Sequence, residues 1–405
     1  MRRTITLAAV VIGAVGPAFA QAGDGEWAVT AEATTVVSGV RSDEPLDPAA
    51  DGPLGSAVLE ISRSDTFDNG LTLGWLGSVR YERDNPSRPG FVGALGGCPA
   101  TNPACPRLAS GALSPISPAT GLAAGGIPLD ADGFLAVEAA AVSVTGPWGE
   151  GVFGYDAGAA SRLDARAPTV LNRVSAFSPG LDPTGLGVTR ARNDVTASSA
   201  KATYLSPRWL GLRLGVSYTP DADTRSADFD PDFNAAGLAS AQLENVWEGA
   251  VSFARQFAEQ DLRVRAAVTY SSADSGSGQP EFGGYEAWGA GMEFEHDGWT
   301  GGVRWLASNN AWAAGNGDYE AWEVGLVKEV DGWRLGAEAG WSRDRLSGLE
   351  GNSWLVGIRH DISHNVGLGV GWTSTDADIP IPAGLSFGHR NASNDGLLLE
   401  LTVRN

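Results

Sequence analysis

Seven charged residues crowd the stretch "SRLDARAPTVLNRVSAFSPGLDPTGLGVTRAR", residues 161–192: Arg162, Asp164, Arg166, Arg173, Asp182, Arg190 and Arg192. Guanidinium and carboxylate groups at this density can pin a segment by ion pairs. In a narrow aqueous passage they can also set the preference for one sign of ion. They include no nucleophile beside a base. Of the four histidines, His360 and His364 stand in "HDISHN". Their i, i+4 spacing would suit a metal on a helix, but this is a tight turn, so no metal site is expected. A hydrolase would need a histidine and a serine at one rim, and nothing singles out such a pair. The acidic run "DADTRSADFDPDF", 221–233, reads either as a solvated loop or as a calcium loop. Neither an enzyme nor a cofactor is expected.

The elements that position these charges follow from the rest of the chain. It opens "MRRTITLAAVVIGAVGPAFAQAG": Arg2 and Arg3, an apolar run, then Ala18-Phe19-Ala20 before Gln21. That order predicts a secretory signal peptide over 1–20, with 21–405 as the mature chain. After export the compartment is oxidising, so Cys98 and Cys105 in "GGCPATNPACPR" are expected to form a local loop disulfide. The net charge of −20 argues against nucleic acid as a partner. Mean hydropathy is −0.09, and no later stretch has the roughly 18 apolar residues that a membrane helix needs. A barrel escapes that test, because only every second residue of its strands meets lipid.

Period-2 alternation is the dominant pattern. It predicts sixteen strands, at about 25–40, 55–65, 70–83, 133–145, 151–158, 193–205, 210–219, 241–257, 262–272, 284–296, 298–308, 318–330, 332–342, 352–361, 365–375 and 395–404. After the first strand the connections alternate between tight turns ("TFDNG", "PWGE", "SPRW", "AEQD", "HDG", "VDG", "ISHN") and longer loops. Short turns at one rim and long loops at the other are the asymmetry of an outer-membrane barrel. Most of the 14 tryptophans fall on the apolar parity, many near strand ends; Trp299, Trp305, Trp333, Trp341 and Trp372 are examples. Indole favours the boundary between lipid and water, so such rings form aromatic girdles. A soluble sandwich would need a bulkier inward face to fill its core.

The stretch "KATYLSPRWLGLRLGVSYTPD", 201–221, resembles the Gram-negative general bacterial porins, in an alphaproteobacterial-like form. The resemblance rests on Tyr204, Ser206-Pro207, Trp209, Gly211-Leu212, Tyr218 and Pro220. Upstream, "WGEGVFGYDAGAASRLDARAP" is similar to the family's fifth strand running into its third long loop. Two features depart from the pattern: Tyr155-Asp156 stands where the family often has Gly-Arg, and the chain ends "LTVRN" rather than in an aromatic residue.

The resemblance implies a sixteen-stranded antiparallel barrel in the outer membrane of a Gram-negative bacterium, with the third long loop folded inward. The implied function is passive diffusion of small hydrophilic solutes and ions through a water-filled channel. A substrate-selective porin, and an exported β-rich adhesion or binding protein without a channel, are the alternatives. It also implies a homotrimer, contact with outer-membrane lipid and lipopolysaccharide, and recognition by the outer-membrane insertion machinery. Residues 159–192 become the constriction loop, with Asp156, Arg162, Asp164, Arg166, Arg173 and Asp182 near the constriction and Arg80 as the basic wall residue.

Wall charge does not decide selectivity. Ten glutamates take the inward parity (Glu32, Glu60, Glu82, Glu244, Glu248, Glu293, Glu295, Glu323, Glu338 and Glu400). Against them stand nine basic residues: Arg80, Lys201, Arg213, Arg263, Arg265, Arg304, Arg334, Arg359 and Arg404. Glu138 shares a face with Phe134, Val142 and Val144, which a bulge or a subunit contact would explain.

Overall fold

The computed structural model describes residues 25–42, 52–85, 114–123, 133–222, 238–276, 280–383 and 386–405. The expected signal peptide and the cysteine pair Cys98 and Cys105 lie outside them, as does most of the acidic run 221–233.

Sixteen strands close into one barrel. Strands β1–β3 are Trp27–Ser42, Leu54–Thr66 and Thr72–Arg83. Strands β4–β7 are Phe134–Gly146, Gly149–Asp156, Ser199–Leu205 and Leu212–Ala222. Strands β8–β12 are Leu243–Phe257, Leu262–Ser275, Tyr285–His296, Trp299–Ser308 and Tyr319–Val330. The last four, β13–β16, are Trp333–Asp344, Leu349–Ser363, Val366–Ala383 and Ser386–Arg404. Each pairs antiparallel with its neighbours in sequence, and β1 closes on β16 from Glu32 opposite Arg404 to Ser42 opposite Asn394. Asn405 ties that seam further: its side-chain oxygen accepts from the Ala31 N–H at 2.6 Å.

The short turns follow from local chemistry. In Asp297-Gly298 φ is 47° and 68°, and in Asp331-Gly332 it is 50° and 77°. Two successive positive φ values make the hairpin turn whose twist matches the strands, and Asp-Gly is a pair that adopts it at little cost.

Alternation sorts the two faces as the sequence predicts. On β12, Val324 is 52 % exposed while its neighbour Glu323 is 2 % exposed. Outward tryptophans form two rows. On the long-loop side, Trp305 pairs with Trp322 and Trp322 with Trp341, continuing through Trp288, Trp354 and Trp372. The indole N–H groups of Trp305 and Trp322 both donate to Glu320, at 3.1 and 3.2 Å. On the short-turn side, Trp333 stacks on His360 at 4.3 Å and Lys328 lies over Trp299. Trp333 and Trp341 are eight residues apart, about 26 Å along a strand at about 3.3 Å per residue. A tilt of about 40° leaves about 20 Å of height, near the apolar band of about 25 Å that such barrels present to lipid.

Two boundaries differ from the sequence expectation by more than a few residues. The final hairpin is longer, reaching Ala383 opposite Ser386. Its extension carries Pro380 and Pro382 and turns its apolar residues Ala377 and Ile379 inward, so it lacks the outward apolar row that marks the other strands. The ladder to β14 ends at Asp378, so beyond it the prolines sit on a strand with one free edge. Residues 193–198, expected as strand, belong to the third long loop, because side chains hold them off the ladder (below). Strand β4 contains a bulge: Ser78 opposes Ala139 and Val79 opposes Val137, leaving Glu138 as the extra residue. Before it Leu135 and Val137 face outward; after it the parity switches, and Glu138 turns inward to Arg80 at 3.0 Å.

A second segment also turns inward. Within the long connection from β3 to β4, residues 116–123 are mostly buried, with Leu122 against Leu186, Val188, Leu349 and Ile379. Asn310 holds it by accepting from the Ser117 hydroxyl at 2.9 Å and from the Ala119 N–H at 3.2 Å. Sequence alternation gave no sign of this.

Candidate pore constriction

Between β5 and β6 the chain leaves the barrel wall for residues 157–198, with one short helix, α1 (Ala159–Arg162). Lys201 on β6 staples both ends of this loop. Its ammonium donates to the Asp156 carbonyl at the entrance, and to Ala197 O at 2.6 Å and Thr196 Oγ1 at 2.9 Å at the exit. A buried ammonium persists only when so many acceptors replace water. The exit is fixed further by Asn193, whose amide donates to Thr269 and whose Oδ1 accepts from Ser271. Lys201→Met should therefore speed amide hydrogen exchange throughout 157–198 while β10–β14 stay protected. Unchanged exchange in the loop would refute the staple.

The middle of the loop lies against inward-facing side chains of the opposite wall. Glu338 accepts the N–H of Val170 at 2.6 Å and of Ala176 at 3.0 Å. Glu400 accepts from Asn172 at 2.7 Å, Arg173 at 2.8 Å and Val174 at 3.3 Å. Glu323 accepts from Ala191 N at 2.8 Å and the Ser178 hydroxyl at 3.0 Å. Hydrogen bonds from N–H to a carboxylate are about twice as strong as neutral ones. Loop residues Val170, Leu171, Val174, Phe177 and Leu181 pack on inward Val36, Leu54, Val327, Leu355 and Leu398. Glycine makes the close approach possible. A Cβ on Gly325 would run into the Pro168 carbonyl oxygen, and one on Gly302 would lie 3.0 Å from Arg166 O.

The residues singled out from sequence have distinct surroundings. Arg80 is buried between Glu82 at 3.2 Å and Glu138 at 3.0 Å. Asp156 takes the guanidinium of Arg162, which also lies 3.6 Å from Glu150. Asp164 is paired with Arg304 of β11. Burial pushes its carboxyl up to about 6, although Arg304 and Arg166 pull the other way. Asp182 is inside the loop, accepting from Thr184 N at 3.0 Å and Gly187 N at 2.7 Å, which shapes a turn. Arg173 donates to Ser56 at 2.6 Å and lies 3.6 Å from Glu82. Arg166 is exposed to the lumen. A cavity of 330 Å³ gathers Arg166 and Arg173 with Arg192, Arg304 and Glu323, while Arg80, Asp156 and Asp182 stand apart from it. The predicted girdle residues Trp299, Trp305, Trp333, Trp341 and Trp372 are all on the outer face.

The Gram-negative porin family model matches residues 6–379. The chain belongs to that family. A search of the curated proteins finds no significant match. Among solved structures, the Salmonella typhi OmpF complex with daunomycin shares 11 % identity at a TM-score of 0.56, covering 94 % of this chain and 98 % of that one. The anion-selective porin from Comamonas acidovorans shares 13 % at 0.54, covering 94 % and 100 %. The trimer form of OmpT, an outer-membrane protein of Vibrio cholerae, shares 12 % at 0.50, covering 95 % and 100 %. At these identities the likeness is one of fold.

This porin is thus an outer-membrane channel for the passive diffusion of small hydrophilic solutes. Five residues that hold its loop, Lys201, Glu323, Glu338, Glu400 and Asn172, are not among those singled out from sequence. Lys201 and the three glutamates were legible as inward-facing, but their partners are 4 to 228 residues away in the chain.

Proposed function

We propose that this porin is a general diffusion channel whose third long loop narrows the lumen, with Arg166, Arg173, Asp164 and the wall residue Arg304 at the constriction. The observation that supports this most directly is the set of loop amides held by Glu338 and Glu400 on the far wall. Arg80, Arg162, Asp156 and Asp182 act in this reading by fixing the loop and the wall beneath it. The chain performs no catalysis. Residues 1–20 are removed on export, and Cys98 and Cys105 bond within the β3–β4 connection.

The functional unit is a homotrimer in contact with lipid and lipopolysaccharide, assembled by the insertion machinery. Its subunit face is the outer surface of β1–β4, where Ala31, Ala33 and Ala57 with Leu59, Val79 and Leu135 line an apolar hollow of 310 Å³. Small side chains there admit a second copy at close range. The test is reconstitution of purified, folded protein in planar bilayers. Stepwise conductance increments, lost on heat unfolding, are expected. A folded barrel that never conducts would overturn the channel in favour of an exported binding protein.

A further inference from the structure

We propose that the cavity between the loop and the β11 wall is a binding site for small solutes with two or more negative charges, which makes the channel anion-preferring and saturable. This rests on reading 157–198 as the constriction. The lining carries four guanidinium groups, Arg166, Arg173, Arg192 and Arg304, against one carboxylate, Glu323. Three of the four come from the loop itself and the fourth from the wall that the loop packs against. Asp164 offsets Arg304 directly and Glu82 lies 3.6 Å from Arg173, so the excess rests on Arg166 and Arg192 against Glu323. Glu338 and Glu400 stand outside the lining, turned to loop amides. Asp164 and Asp194 lie within electrostatic reach of Arg166, but neither lines the cavity.

The donors around the arginines suit the same ligand. Asn172, Thr169, Ser175 and Ser178 add an amide and hydroxyls to the lining. A guanidinium presents two parallel N–H groups that match the paired oxygens of a carboxylate or a phosphate. A solute with anionic oxygens at two places could engage arginines of loop and wall together, whereas chloride could engage one at a time. The chemical class is therefore the small dianion: inorganic phosphate, phosphate monoesters and short dicarboxylates.

The test uses the full mature protein in planar bilayers near neutral pH. In a potassium chloride gradient the reversal potential should report anion preference. Adding potassium phosphate or potassium succinate should reduce the chloride current along a saturating curve. Arg166→Gln, which removes an exposed guanidinium without an ion-pair partner among the described residues, should weaken that block several-fold and move the reversal potential toward cations. Saturating block by either dianion supports the site, and the two arms separate phosphate from carboxylate recognition. Cation preference in the unmodified channel, or a current that falls only in proportion to added salt, would overturn it while leaving the porin reading intact. Absence of any channel would instead overturn the porin reading.

Discussion

Replacing Glu338 and Glu400 together by leucine should give a barrel that assembles normally but conducts more current, with larger fluctuations, than the unmodified channel. Five loop N–H groups lose their acceptor in this variant: those of Val170 and Ala176 at Glu338, and of Asn172, Arg173 and Val174 at Glu400. A buried donor left without a partner costs about 1–3 kcal/mol. That sum offsets much of what burying Val170, Leu171, Val174, Phe177 and Leu181 contributes, at about 1.5–3 kcal/mol each, so the loop should loosen from the wall. The strands should not follow, because their ladder closes without the loop through β1 and β16. Glutamine at both positions keeps an acceptor oxygen but loses the charge, and should fall between. Single-channel recording, with heat-modifiable migration on gels as the assembly check, reads both halves. Unaltered conductance in a properly folded double variant would mean that these amides do not hold the constriction.

Arginine at Val303 should block membrane assembly, whereas arginine at Thr300, three residues earlier, should be tolerated. Val303 faces outward on β11 between Trp299 and Trp305, opposite Val324 of β12. Lipid surrounds it near the middle of the apolar band, where an arginine costs about 2–4 kcal/mol. Thr300 points to the lumen, opposite Glu295 of β10, where the new cation meets water and a carboxylate. Refolding into vesicles, followed by gel mobility and urea titration, should show Val303→Arg strongly destabilised and Thr300→Arg near the unmodified protein. Equal behaviour would mean that the inward and outward faces are wrongly assigned.

Alternation, with the rhythm of tight turns and longer loops, made the architecture legible. Val324 beside Glu323, and the rows through Trp305, Trp322 and Trp341, say which side chain meets lipid, because a strand turns successive residues to opposite faces. The same rule placed Glu338, Glu400 and Glu323 in the lumen, while turn chemistry placed Asp297-Gly298 between strands. It could not say what those glutamates meet. From sequence they are wall charge that basic residues nearly cancel; in the structure they hold loop amides. Glu138 shows the limit within a strand, since one extra residue reverses the parity and the sequence admits two explanations for it. Glycines such as Gly325 and Gly302 look merely permissive in the sequence, yet they are where the loop backbone comes closest to the wall. Burial of Arg80, the pairing of Asp164 with Arg304, and the gathering of Arg166, Arg173 and Arg192 into one cavity all depend on where 157–198 lies. Local periodicity decides which face a residue occupies. Only closure of the barrel around a loop decides what shares that space, because those partners are brought together by the ring and not by the chain.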